Sequence, residues 1–116
     1  MRRENLAAIL SQMHRRFGRW QFQRADWVLS QPLSRNRLRK WTESPSLRRW
    51  RLPGAGTVAE VQTIDGAKII FEDKSWLLLR PSGTEPLLRI YAEARDWKTL
   101  SALLRLGRSI GRQIVH

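Results

Sequence analysis

Thr57-Val58-Ala59-Glu60-Val61-Gln62-Thr63-Ile64, Asp65-Gly66, Ala67-Lys68-Ile69-Ile70-Phe71 is the stretch from which the fold can be read. Two β-rich runs flank an Asp-Gly pair, and that dipeptide is the strongest short signal for a β-hairpin. Glu72-Asp73-Lys74 supplies the next turn, less sharply specified because it contains no glycine. Ser75–Arg80 is almost continuously apolar through Trp76, Leu77, Leu78 and Leu79, the pattern of a strand covered on both faces. Beyond a loop, Leu87–Arg95 alternates. Leu88, Ile90, Ala92 and Ala94 face one way, and Leu87, Arg89, Tyr91 and Glu93 face the other.

Helical patterns lie on either side. Asp96 is placed to cap a final helix over 97–115, whose apolar stripe is Leu100, Leu103, Leu104, Ile110 and Ile114. Gly107 and Gly111 each cost that helix up to ~1 kcal/mol relative to alanine, and they permit a close approach to its neighbour. Upstream, Pro53-Gly54-Ala55-Gly56 is a break. Residues 4–17 carry Leu6, Ile9, Leu10, Met13 and Phe17 at helical spacing, with Gly18 as a stop. Residues 21–30 read as extended. Ser30, with Pro32 just inside, predicts a second helix to Thr42, and Leu47–Leu52 a further helical turn after Ser44-Pro45-Ser46. The expected fold is α+β: a mostly antiparallel sheet of about four strands with flanking helices.

The chain has 116 residues, which suits one small domain. No run of about 18 apolar residues occurs, so no membrane-spanning helix is expected, and the start is not that of a secretion signal. With no cysteine, disulfides, thiol catalysis and cysteine-ligated metal are excluded, and a cytoplasmic location is expected. Charge is uneven. Residues 1–52 hold 13 basic and 3 acidic side chains, against 9 and 7 in residues 53–116. Trp20, Trp27, Trp41 and Trp50 lie in the basic half. Arginine interleaved with tryptophan suits a nucleic-acid surface, with phosphates on guanidiniums and bases on indoles. A solvated basic face with tryptophans packed inward explains the same residues.

The chemistry is concentrated in Arg80-Pro81-Ser82-Gly83-Thr84-Glu85-Pro86, between the last two strands. Two prolines stiffen the loop around a Ser-Gly-Thr tip. Glycine permits positive φ, and successive N–H groups in such a turn can converge on an anion. Arg80 ends one strand and Arg89 lies early on the next, so both can offer paired N–H donors to phosphate oxygens. As a bare tripeptide, Ser-Gly-Thr serves equally well as a surface turn.

Residues 65–71, with Ser75–Arg80, the loop and Leu87–Ala94, closely resemble the C-terminal domain of the α-D-phosphohexomutases, the phosphoglucomutases and phosphomannomutases. The helix ending Phe17-Gly18 before Arg24-Ala25-Asp26 is similar to the family's passage from its third domain to its fourth. The resemblance implies a linker helix over 1–18 and a phosphate-binding domain over 19–116. In that family a phosphoserine of the first domain transfers its phosphoryl group beside a divalent metal, usually Mg2+. The fourth domain clamps the phosphate that is not transferred. Matched positions make Arg80, Ser82, Gly83, Thr84 and Arg89 that clamp, with a hexose phosphate and the other mutase domains as partners. Glu85 matches the family pattern too, and nothing in its chemistry assigns it a role.

The chain contains no match to the family's serine nucleophile loop, its aspartate-rich metal loop or the sugar-reading loop of its third domain. It is therefore expected to be inactive alone, with no catalytic or metal residue of its own. Tyr91-Ala92-Glu93-Ala94 resembles the glucose/mannose branch more than the phosphoglucosamine branch. The alternative function is a basic, Arg/Trp-rich module that binds nucleic acid or another polyanion.

Overall fold

The computed structural model describes residues 20–115, so the helix read over 4–17 lies outside the described residues. Six strands form a single antiparallel layer: β1 (Gln21–Val28), β2 (Arg51–Leu52), β3 (Gly56–Gln62), β4 (Ala67–Phe71), β5 (Trp76–Pro81) and β6 (Leu87–Ala94). Their spatial order is β1-β6-β5-β4-β3-β2. Among the described residues two helices accompany them, α1 (Arg35–Thr42) and α2 (Trp97–Val115), with a 3-10 turn at Pro45–Arg49. The α+β class stands, but the sheet has six strands rather than about four.

Both extra strands come from segments with weak local signals. Residues 21–28 were expected to be extended, and they pair with the free side of β6, from Gln21 opposite Ala94 to Val28 opposite Leu87. Arg51-Leu52 was expected to be helical. Instead the 3-10 turn ends at Arg49, and the two residues pair with Gly56 and Thr57 across the Pro53–Ala55 turn. Helix α1 also starts later than expected. Pro32 disfavours helical backbone at Gln31, Leu33 turns into the core, and the Ser34 hydroxyl accepts the Arg37 N–H at 3.1 Å as the N-cap.

One face of the sheet carries the core. Ala67, Ile69 and Phe71 of β4, Leu77 and Leu79 of β5, and Leu88, Ile90, Ala92 and Ala94 of β6 are all buried there. Leu100, Leu103, Ile110 and Ile114 of α2 join the same core, as do Leu38 of α1 and Leu47 of the 3-10 turn. Leu104 is only partly buried. A Cβ at Gly107 would meet Ile90 Cγ2 at 2.8 Å, and one at Gly111 would meet Leu88 Cδ2 at 2.8 Å. The two glycines therefore let α2 lie directly on β6. Asp96 caps the helix by accepting the Thr99 N–H at 2.7 Å. Among the described residues no helix is long and apolar enough to cross a membrane.

The opposite, outer face has no helix on it among the described residues and is half-exposed there. Phe22 packs against Trp76 with ring centroids 6.1 Å apart, and Trp76 Nε1 donates to Glu93 Oε1 at 3.1 Å. Lys68 Nζ sits 4.6 Å above the Trp76 ring. Arg80 and Arg89 project from this face, at its end nearest the β5–β6 loop.

Candidate functional site

The loop leaves β5 at Pro81, which lies opposite Leu88 at the end of the β5–β6 ladder. Three bonds then shape it. Ser82 N–H donates to Leu87 O at 2.9 Å and closes the hairpin, while Leu87 N–H donates to Glu85 O at 2.7 Å. The Ser82 hydroxyl accepts the Glu85 N–H at 3.4 Å, a long bond across the tip. The loop is tied to β1 by Leu29 N–H donating to Pro86 O at 2.7 Å.

At the tip Gly83 adopts φ +85°, the left-handed conformation that disfavours side chains, with no atom within 4 Å of where a Cβ would stand. Gly83 and Thr84 are exposed, and their N–H groups take no part in the loop's internal bonds. Those donors, with the Thr84 hydroxyl, remain for an acceptor from outside.

Arg80 of β5 and Arg89 of β6 are direct cross-strand partners. Cross-strand neighbours on one face have Cβ atoms ~4.5–5.5 Å apart. The register therefore brings the two predicted arginines together beside the Ser82–Thr84 tip. All five predicted residues fall in one place. Carboxylates frame the arginines: Asp26 of β1 stands opposite Arg89, and Asp65 Oδ2 lies 2.8 Å from Arg80 Nη2. Asp65 is the residue that sequence reasoning saw only as a turn former. The signal was there, since the Asp-Gly turn must end level with the last residues of β5, but its partner depends on sheet register. Glu85 is exposed on the loop.

The site has no metal donor set. No group of three or more His, Cys, Asp or Glu side chains able to hold an ion occurs among the described residues. The four tryptophans of the basic half have partners within the protein, whereas Trp97 is 59% exposed. Trp41 and Trp50 pack on each other at 5.3 Å, Trp27 lies under Arg108 and Arg112 at 4.7 and 5.3 Å, and Trp20 lies under Arg95 at 5.4 Å.

Comparison with known proteins places this geometry in context. The chain is 45% identical over 58 residues to a probable phosphoglucosamine mutase of Methanosphaera stadtmanae, covering 50% of this chain and 13% of that protein. It is equally similar, 45% over 58 residues with the same coverage, to a phosphopentomutase of Thermococcus kodakarensis. A phosphoglucomutase/phosphomannomutase of the latter organism is 48% identical over 48 residues, which is 41% of this chain and 10% of that protein. The chain thus spans between 10% and 13% of the length of these relatives. Three differently named mutases match about equally, so identity does not favour the glucose/mannose branch over the phosphoglucosamine branch. The family model described as the phosphoglucomutase/phosphomannomutase C-terminal domain matches residues 33–105. That match takes in α1, the hairpins and the arginine-flanked loop, and the chain belongs to this family of mutase C-terminal domains.

Proposed function

We propose that this domain clamps the phosphate group of a hexose phosphate, the one not being transferred, as the C-terminal part of a phosphohexomutase. One observation carries the reading: Arg80 and Arg89 face each other on the outer side of the sheet, next to a tip whose Gly83 and Thr84 N–H groups are unused. Two like charges opposed across a ladder repel, and an anion between them relieves that repulsion. Phosphate oxygens take paired N–H bonds from the guanidiniums, and also accept from the Ser82 and Thr84 hydroxyls and the Gly83 and Thr84 N–H groups. The clamp's contribution to phosphoryl transfer is positioning, because binding energy from a remote phosphate holds the sugar in line for reaction. The nucleophile and the metal belong, by the family resemblance, to other domains of the mutase. The chain by itself is expected to show no turnover of glucose 1-phosphate with a bisphosphate activator and magnesium.

Titration of the 116-residue chain with glucose 1-phosphate, followed by amide chemical shifts, tests the clamp. Charge-assisted hydrogen bonds contribute ~1.5–3 kcal/mol each, and association costs at least ~4 kcal/mol, so a Kd near ~1 mM is expected. The largest shifts fall on Ser82, Gly83 and Thr84. Arg80→Ala abolishes them and Arg89→Ala weakens binding. Unmoved signals at Ser82–Thr84 at tens of millimolar ligand would end the proposal.

A second reading draws on the basic surface of α1 and the 3-10 turn. Arg35, Arg37, Arg39, Lys40, Arg48 and Arg49 are exposed, and none pairs with a carboxylate among the described residues. Arg39 and Arg48 border a cleft of about 440 Å³ with Ser44 and Thr63. With Trp41 and Trp50 packed on each other, such a surface would hold a polyanion through its phosphates and not by base stacking. An oligonucleotide that shifts residues 35–51, with a steep salt dependence, would favour it.

A further inference from the structure

We propose that Asp65 is a positioning residue for the clamp: its carboxylate holds the Arg80 guanidinium beside the Ser82–Thr84 tip, so that two hairpins build one site. The inference rests on the clamp reading and extends it to a residue of the β3–β4 turn. Asp65 Oδ2 lies 2.8 Å from Arg80 Nη2, within the range of a charge-assisted hydrogen bond. A guanidinium has five N–H donors, and this contact engages one nitrogen, which leaves the rest for phosphate oxygens.

The turn is built to deliver that carboxylate. Gly66 has φ +86°, and a Cβ there would collide with the Leu79 carbonyl oxygen. Only glycine lets the turn press so closely on the end of β5. The residue before Gly66 then comes within reach of the residue after Leu79. Asp65 itself is outside the left-handed region, so its side chain can be changed without straining the turn.

The pair is half-exposed, 43% for Arg80 and 54% for Asp65, so it adds little to stability. Its consequence is orientation. Arg80 is repelled by Arg89 opposite, and Asp65 supplies the counter-pull. The carboxylate also repels a bound phosphate, but solvent screens that repulsion at an exposed position. The entropy of ordering a long arginine side chain is not screened, and it is among the largest of any residue. Restraint therefore outweighs repulsion.

The 116-residue chain and its Asp65→Ala and Asp65→Glu variants are titrated with inorganic phosphate at matched ionic strength, following the amides of Ser82, Gly83 and Thr84. Asp65→Ala is expected to bind about three- to fivefold more weakly, the scale of an exposed ion pair, with its unfolding midpoint near that of the parent. Asp65→Glu, which returns a carboxylate, recovers most of the loss. Parent-like or tighter binding by Asp65→Ala overturns the inference, because Asp65 would then be idle or a competitor for Arg80. Equal weakness of both variants with a lowered unfolding midpoint overturns it too, leaving a turn role only. If the parent chain itself shows no phosphate-dependent shift at the tip, the clamp reading fails, and this inference falls with it.

Discussion

Arg80 and Arg89 stand opposite one another across the β5–β6 pair; Asp65 contacts Arg80, and Asp26, itself ion-paired with Arg24 at 3.0 Å, is the register partner of Arg89 on its far side. The row runs negative, positive, positive, negative across the sheet. Like charges at a cross-strand position cost ~0.2–1 kcal/mol relative to neutral neighbours, and an anion seated between the arginines removes that cost. If the domain clamps phosphate as proposed, stability and phosphate binding are linked at this row.

That linkage is measurable as thermal stabilisation. At about 10 mM phosphate, roughly ten times a millimolar Kd, the folded state gains ~1.4 kcal/mol. For a domain of this size that raises Tm by about 5–10 °C. Phosphate also stabilises proteins non-specifically, so Arg80→Ala is the control. The variant should lose most of the increment while keeping its Tm in chloride of equal ionic strength. An equal increment in parent and variant would place the anion elsewhere.

Gly66 and Gly83 share a left-handed backbone but differ in surroundings. Alanine at Gly83 meets open space and costs only the conformational penalty of ~1–2 kcal/mol. Alanine at Gly66 adds a collision with backbone at the end of β5, and overpacking contributes a further ~1–3 kcal/mol. Chemical denaturation should therefore rank Gly66→Ala clearly below Gly83→Ala. Equal midpoints would mean that the β3–β4 turn is not pressed against β5.

Gly107 tests the packing of α2 on β6. Alanine there gains up to ~1 kcal/mol of helix propensity, yet its Cβ falls 2.8 Å from Ile90 Cγ2, and overpacking costs ~1–3 kcal/mol. The clash wins, and Gly107→Ala lowers stability by about 1 kcal/mol. Leu103, fully buried in the same interface, loses ~2–5 kcal/mol on truncation to alanine. A Gly107→Ala variant more stable than the parent would show that α2 sits further from the sheet.

Acid weakens two turns in a defined direction. Asp96 is held below the usual carboxylate range, first by the Thr99 backbone N–H and then by the Thr99 hydroxyl. Glu72 is lowered by the Thr57 hydroxyl and then by the Thr57 N–H. Because the folded values lie below the unfolded ones, both contributions are complete above the usual carboxylate range. They vanish as pH falls through the lowered values. Asp96→Asn keeps a cap acceptor at every pH. Its Tm relative to the parent should therefore rise between pH 7 and about pH 3. A pH-independent difference would mean that the Asp96 cap is not formed by the ionised carboxylate.

Local chemistry was sufficient for much of this molecule. Asp65-Gly66 announced its hairpin, although β3 ends at Gln62 and the connection takes residues 63–66 rather than two; Leu87–Ala94 declared its buried face by strict alternation, and Asp96 with the 97–115 stripe announced α2. The five residues proposed as the clamp could be named together because they lie within ten positions of one another, on either side of a single turn. The sequence by itself did not determine what required two distant segments to meet. Gln21–Val28 has imperfect alternation, and its place beside β6 depends on an edge supplied more than sixty residues later. Arg51-Leu52 is too short to show a period, and its strand exists only because β3 runs beside it. The tryptophans of the basic half looked free as a list. Their partners, Arg108 and Arg112 over Trp27 and Arg95 over Trp20, come from α2 and the end of β6. The opposition of Arg80 to Arg89 and the contact of Asp65 with Arg80 likewise waited on register. Side-chain periodicity tells a strand which face to bury, whereas which residue faces which is decided by the pairing of whole strands.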